Sequence, residues 1–516
     1  MAESPWLSLG KSAAQIVAEF TPVPGLGPGV DALCTFITIC QGVAANRRST
    51  RRLCDLCHEL LLAVEKYRPT PPNTLDAAFK SVNACIVSVK DRAGTWAGRS
   101  WVGGFLHQAQ IQGEINQCKE DIGNCFLKFQ LVSAGTTSQW QADFAIVVRS
   151  DHAEIIAYLC DIQNGQEILK EMMSFQGQTL SGKLEELMGM MQILLGEVRN
   201  TQINPQTNAQ TNQYVGLAHN LYELQKSTNT LLPNLHLFSG EITDVGNRAV
   251  FRTATVDIFK GRYLQEVVVA VKVLRALDGN EKTLKRFSDE AQIWEKVWKL
   301  DQGKYILPFY GFSLGEDIDF YPFTVSPWQE NGTALSYVKE NDANVNYRQL
   351  IRAIANGIRV LHCLMKPSIV HGDIRAANIL IDSQGNPLIA DFGLSKVLED
   401  VTETPFTQST AAANLCRWFA PEVYTGKGMI SFASDIYSFA MTVLELLTHA
   451  PPYASIKHPQ EVVLVKNQRD SPPKPTDARV IERGLDKHLW TLLVECWNRI
   501  PGARPGIEEI LESLEG

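Results

Sequence analysis

From residue 201 to residue 213 the chain offers almost no apolar side chain, only a run dominated by Asn, Gln and Thr. A stretch of that composition buries too little surface to fold by itself. Before it, apolar residues recur every three or four positions; after it, they alternate in short β-branched runs. One period suits helices and the other strands, and neither sits well in the other's place. The chain therefore divides into an all-α N-terminal part and an α+β C-terminal part, with 201–237 as the joint. Its 516 residues already ask for more than one core.

In the N-terminal part, the breaker cluster from Pro22 to Gly29 separates a short amphipathic segment, Leu7 to Phe20, from a helix starting near Val30. Leu53, Leu56, Cys57, Leu60, Leu61, Val64 and Tyr67 form one apolar stripe, and Pro69, Pro71 and Pro72 end that helix. A third helix runs from Thr74 to Asp91 with Leu75, Phe79, Val82 and Ile86 on one side. A fourth carries Ile111, Ile115, Cys118, Ile122, Cys125 and Phe129 in a near-heptad seam. The expectation is a four-helix bundle over 1–135. Two further helices within 136–200, Phe144 to Ile162 and Leu180 to Val198, brace it or meet another chain, so a homo-oligomer is one expected partnership. Val215 to Gln225 reads as a short helical piece inside the joint.

A net charge of −8 lacks the basic surplus that a nucleic-acid binder uses to neutralise phosphates. Eleven cysteines spread along the chain without a dense framework suggest free thiols in a reducing compartment, hence a cytoplasmic protein. The N-terminus has no basic start with an apolar run behind it. The apolar window from Val30 to Ala45 is broken by Asp31 and Gln41 and falls short of the about 20 residues a bilayer requires. Cys54, Cys57 and His58 have the spacing of a haem attachment site, but they lie on the amphipathic helix with Cys57 in its apolar stripe, so they read as core.

In the C-terminal part, His371-Gly-Asp-Ile-Arg-Ala-Ala-Asn378 is followed, after a short apolar run, by Asp391-Phe-Gly393. Upstream, Lys272 interrupts the strand-like run from Glu266 to Leu274, and Glu290 sits in a following helical segment. Such charges, in that order, suit phosphoryl transfer, which demands positioning more than covalent help. Together they resemble the catalytic and metal-binding loops of a protein kinase. The resemblance spans 238–515 and implies a bilobal α+β kinase fold, closest to the tyrosine-kinase-like serine/threonine group.

That resemblance implies the following roles. Asp373 accepts the proton of a protein substrate's hydroxyl, Asn378 and Asp391 each hold a magnesium ion, and Lys272, paired with Glu290, reaches the α- and β-phosphates of ATP. Val325 to Gly332 matches the family's hinge: Ser326 is the gatekeeper, Pro327 offers a carbonyl to adenine, Gln329 offers a backbone donor, and Ala270 belongs to the same nucleotide set. Arg375 stands where the serine/threonine group usually has lysine, which keeps tyrosine open as acceptor. Asp435 falls in the helix that anchors the catalytic loop, and Arg504 matches the arginine that pairs with Glu422.

Two departures bear on activity. No glycine lies between Gly246 and Gly261, so Arg252 to Val256 occupies the place of the nucleotide-covering glycines. Gly372 replaces the arginine that usually precedes the catalytic aspartate, so phosphorylation at Thr402, Thr404, Thr407, Ser409 or Thr410 loses its customary partner. The alternative reading is a catalytically weak pseudokinase switch controlling a membrane-disrupting or oligomerising helical bundle. It draws on a second resemblance, of residues 1–135 to the amino-terminal domain of mixed-lineage kinase domain-like proteins and fungal HeLo-type relatives. This resemblance implies contact with anionic membrane and a peripheral location. Arg47, Arg48, Arg51 and Arg52 form a basic corner able to meet phospholipid headgroups at about 1 kcal/mol each.

Overall fold

Helices fill the first half of the chain. The computed structural model describes residues 25–66, 75–128, 134–174, 178–200, 208–237, 240–252, 256–275, 281–314, 321–392, 416–424, 430–468 and 471–515. They fall into two units, Met1–Leu224 and Gln225–Gly516, each described by itself.

In the first unit α1 (Gly27–Gly42), α2 (Arg47–Glu65), α3 (Leu75–Ala97), α4 (Trp101–Leu106), α5 (Gln108–Lys128), α6 (Ala134–Cys160), α7 (Gly165–Met173) and α8 (Gln178–Asn200) follow in order. The α1 helix packs on α2 and α3, and α2 also meets α3, α5 and α6. Their shared core holds Leu33 and Phe36, Leu53 to Val64 of the predicted stripe, Val82, Ile86 and Val89, and Ile111, Ile115 and Ile122. Each such side chain contributes roughly 1.5–3 kcal/mol by leaving water. Tyr67, Phe129, the segment Leu7 to Phe20 and the helix-ending prolines lie outside the described residues. Cys54, Cys57 and His58 are all buried. Among the described residues, no group of three His, Cys, Asp or Glu side chains is arranged to hold a metal ion, and no helix is long and apolar enough to cross a membrane.

The start of α2 has a cap that its own sequence does not supply. Asn46 takes a left-handed φ of 58° and makes no side-chain cap bond. Instead the buried Asp151 carboxylate of α6 accepts the Arg48 N–H at 3.0 Å and the Ser49 N–H at 2.7 Å. Burial pushes its carboxyl above the ordinary range, against the pull of those donors. Asp151→Ala is expected to destabilise this unit by about 1–2 kcal/mol, the usual cost of a lost cap, in a denaturant titration followed by helical circular dichroism.

The basic corner is partly occupied as well. Arg47 pairs with Glu154 at 3.2 Å, and Arg52 reaches Glu59 at 3.1 Å and Asp143 at 3.9 Å. Arg48 and Arg51 are exposed.

The joint differs from its expected form. Residues 201–207 lie outside the described set, but Asn208–Thr228 is a continuous helix, α9, so the helical piece expected at Val215 begins earlier. It forms because its far half is anchored. Asn220 Nδ2 donates to the Leu159 and Asp161 carbonyls at the end of α6. Gly216 lies so close that a Cβ there would sit 1.7 Å from the Cys160 oxygen.

The second unit pairs a curled antiparallel sheet with a helical half. The strands are β1 (Ile242–Thr243), β2 (Phe251–Arg252), β3 (Val256–Tyr263), β4 (Val267–Leu274), β5 (Gly311–Ser313) and β6 (Phe323–Pro327). Their order is β1-β3-β4-β6-β5, with β2 also on β3. The α10 helix (Glu281–Asp301) follows β4, and β7 (Ile379–Ile381) and β8 (Pro387–Ile389) form a separate ribbon. The helical half surrounds α11 (Phe432–Thr448), buried from Ser434 to Leu447. A helix buried on every side belongs at the centre of a core, and its polar members Asp435 and Glu445 are buried with it.

Candidate active site

The segment from His371 to Asn378 is held from beneath. At the start of α11 the buried Asp435 carboxylate accepts the His371 N–H at 2.7 Å, the Gly372 N–H at 2.9 Å and a 2.9 Å bond with His362 Nε2. Gly372 takes φ +82°, a conformation glycine adopts without a Cβ penalty. Nearly three turns further along α11, buried Glu445 accepts the Ala376 N–H at 3.1 Å and the Trp418 Nε1–H at 2.9 Å. Burial raises its carboxyl and those two donors oppose the shift. One helix thus registers both this loop and the segment before Pro421.

Asp373 is 8% exposed, and its two oxygens differ. Oδ2 accepts Asn378 Nδ2 at 2.7 Å and Arg375 Nε at 3.2 Å. Oδ1 is buried with no hydrogen-bond partner, a state costing about 1–3 kcal/mol until something donates to it. Asn378 Nδ2 also reaches the Asp373 carbonyl at 2.8 Å, so its amide is turned with both donors inward.

Asp391 is registered to the same loop. Ala390 donates its N–H to the Asn378 carbonyl at 2.9 Å, and His371 Nε2 lies 3.0 Å from the Ala390 oxygen. Asp391 holds φ +65°, a strain of about 1–3 kcal/mol of the sort that functional sites retain. Its Oδ2 is 2.5 Å from Lys272 Nζ. Burial alone would raise this carboxyl, but the ammonium outweighs it and holds the group below the ordinary range.

Lys272 comes from β4, in register with Ile258 and Thr324. Its expected partner Glu290 lies on α10, with a side chain outside the described residues; among the described residues Lys272 pairs with Asp391. Ala270 sits two residues earlier on β4, between Lys260 and Ser326. Ser326 and Pro327 close β6. Gln329 turns back so that its Nε2 donates to the Pro327 carbonyl at 3.4 Å, an interaction its sequence position does not announce. A cavity of about 60 Å³ opens between Lys272, Asp391 and Phe392 on one side and Trp294, Phe309 and Ser326 on the other. Of the stretch without glycine, Phe251 and Arg252 pair with Ile258 and Asp257, while 253–255 lie outside the described residues. So do the five hydroxyls from Thr402 to Thr410.

The segment leading to Pro421 is pinned by cations. Arg504 makes a two-pronged pair with Glu422, at 2.6 and 2.8 Å, as its motif implied. Arg417 donates to the carbonyls of Pro452, Tyr453 and Ile456. The Lys466 ammonium, 2% exposed, donates to the carbonyls of Cys416, Arg417 and Phe419 at 2.7–2.9 Å. Sequence reasoning passed over Glu445 and Lys466, although each is a charge set in an apolar run.

Burial pushes the Lys466 ammonium down to about 7, whereas the unfolded chain keeps it near the ordinary lysine value. Between those values the unfolded chain carries a proton the folded chain has released, so this group makes stability climb as pH rises above about 7. The slope approaches at most about 1.4 kcal/mol per pH unit. Lys466→Met is expected to flatten it in denaturant titrations between about pH 6 and pH 9.

Residues 247–514 match the family described as "Protein tyrosine and serine/threonine kinase". The chain is 27% identical to serine/threonine-protein kinase STY17 of Arabidopsis thaliana over 341 residues, covering 64% of this chain and 55% of that one. It is 30% identical to serine/threonine-protein kinase TNNI3K of Homo sapiens over 263 residues, 50% of this chain and 29% of the relative. Ephrin type-B receptor 1 of Gallus gallus is 29% identical over 269 residues, 50% of this chain and 25% of the receptor. The chain thus spans about half or less of the length of these curated relatives.

Proposed function

Because the chain belongs to the protein tyrosine and serine/threonine kinase family, we propose that it transfers the γ-phosphoryl group of ATP to a serine or threonine hydroxyl of a protein. The observation that carries this reading is Asp373 Oδ1, a buried carboxylate oxygen with no donor in a loop held to α11 and to Asp391. A hydroxyl entering there finds an acceptor for its proton. The resulting alkoxide character is offset by Arg375, which already bonds the other Asp373 oxygen.

Lys272 would hold the α- and β-phosphates, with Glu290 as its partner, and Ala270, Ser326, Pro327 and Gln329 would frame the base. The donor set suits magnesium: Asp391 offers a carboxylate kept ionised by Lys272, and Asn378, its Nδ2 engaged, offers Oδ1. When bound, the ion neutralises charge on the phosphates. Arg375 in place of lysine keeps tyrosine as a possible acceptor. The mutual packing of α1, α2, α3 and α5 supports reading them as a four-helix bundle. In this reading they form an interaction module, with Arg48 and Arg51 turned to solvent and available to an anionic surface.

A second reading is favoured by the missing glycines between 246 and 261: a pseudokinase switch that binds nucleotide poorly and controls the helical module. Incubation of the full chain with labelled ATP and magnesium separates the two. Transfer to protein that disappears in Asp373→Ala supports the kinase. Equal signals from both proteins, or no measurable nucleotide affinity, leave the switch.

A further inference from the structure

From Cys416 to Phe419 each backbone carbonyl is taken by a side chain. The Lys466 ammonium, on α12 (Pro459–Gln468), receives those of Cys416, Arg417 and Phe419 at 2.7–2.9 Å. The Ser438 hydroxyl of α11 donates to that of Trp418 at 3.1 Å. An ammonium has three N–H groups and no acceptor, so it satisfies three carbonyls at once only if the backbone curls around it. The cation is also packed over the Tyr437 and Tyr453 rings, at 5.0 and 5.7 Å. A buried cation is costly, and an apolar residue of similar volume fills the same space without that cost. The charge therefore points to a need for one particular path of the segment.

That path runs beside the catalytic loop. Glu445 Oε2 accepts both the Trp418 Nε1–H and the Ala376 N–H, so the two segments meet on a single oxygen. Thr442, one turn earlier on α11, donates its hydroxyl to the Ile374 carbonyl at 3.2 Å, directly after Asp373. Cys416 and Phe419 are buried, whereas Arg417 and Trp418 are half-buried and form the outer side of the segment.

We propose, resting on the kinase reading above, that Lys466 is a positioning residue for the protein substrate: it shapes 416–419 into a ledge that receives the residues flanking the acceptor hydroxyl. A hydroxyl bound at Asp373 Oδ1 belongs to a chain that extends from it at roughly 3.3–3.6 Å per residue. Its next few residues therefore meet the ledge that shares Glu445 with the loop. Lys466 touches neither that chain nor the nucleotide; it acts through the backbone it holds. In Lys466→Met three buried carbonyls lose their donor, and the ledge shifts. Lys272, Asp391 and Asp373 keep their partners.

The full chain, ATP with magnesium and a degenerate serine/threonine peptide pool provide the test, at about pH 6.5, below the value of about 7 at which Lys466 gives up its proton. Lys466→Met is expected to raise the apparent KM for the peptides by about tenfold, with kcat and ATP affinity each within a factor of about two of wild type. Lys466→Arg, which keeps a charge and several donors, is expected to recover part of that loss. Ser438→Ala frees only the Trp418 carbonyl and is expected to show a smaller rise of the same kind; these two variants carry the test if Lys466→Met does not fold. A lower melting temperature with an unchanged peptide KM would make Lys466 a staple of the helical half and overturn the proposal. So would a parallel loss of peptide and ATP affinity. Transfer that the wild type lacks, or shares with Asp373→Ala, removes the kinase reading itself and the ledge with it.

Discussion

Asp373→Asn is expected to lower the rate of phosphoryl transfer by about 10²–10⁴-fold, the range of a positioned general base, while leaving nucleotide affinity within a factor of about two of wild type. The two oxygens of Asp373 explain both halves of this result. Asn378 Nδ2 and Arg375 Nε both donate to Oδ2, so the asparagine oxygen stays where those donors require it. The new amide nitrogen then replaces Oδ1. It presents hydrogens at the one point where the site offers an acceptor, and the incoming hydroxyl meets a donor. Lys272 and Asp391 pair with each other and do not depend on residue 373. Single-turnover transfer, with nucleotide binding titrated separately, distinguishes a lost proton acceptor from a lost nucleotide. An equal fall in both would place residue 373 in nucleotide binding instead.

Much of this site could be read along the chain because its members are close in sequence. Asp373, Arg375 and Asn378 fall within one turn and bond to one another, and Asp391 returns to them through the short ribbon of β7 and β8. What escaped are relations across long separations. Glu445 bonds to Ala376 and Trp418, and Lys466 to three carbonyls of 416–419. No period or spacing ties those residues together. A charged residue inside an apolar run is still a signal, since an ionisable group is seldom fully buried unless it has partners.

The helical unit teaches the same lesson. The stripe from Leu53 to Val64 was legible as a buried face, but not that α6 would bring Asp151 to cap α2 and bring Glu154 and Asp143 to Arg47 and Arg52. The joint was misread for a related reason. The polar composition of 201–213 argued against folding there, with a helix expected from Val215 to Gln225, yet the helix runs over Asn208–Thr228, anchored through Gly216 and Asn220 to the end of α6. Tertiary contacts override weak local preference.

Asp435→Ala should produce the largest loss of stability in the second unit, about 3–5 kcal/mol, because it strands several buried donors at once. The His371 N–H, the Gly372 N–H and His362 Nε2 all converge on this carboxylate, which is 1% exposed. Each orphaned donor costs about 1–3 kcal/mol, and alanine offers no replacement acceptor. The loss also reaches chemistry, since the two backbone groups belong to the residues just before Asp373. Freed from α11, the loop no longer holds Asp373 Oδ1 in one place, and a displacement of about 1 Å is enough to cost on the order of 10²-fold in rate. Denaturant titration measures the first effect. Transfer assayed well below the variant's melting temperature measures the second, with nucleotide affinity as the internal control. A variant that is destabilised yet turns over normally would mean that the loop is held by Glu445 and Asn378 alone, with Asp435 serving only the core.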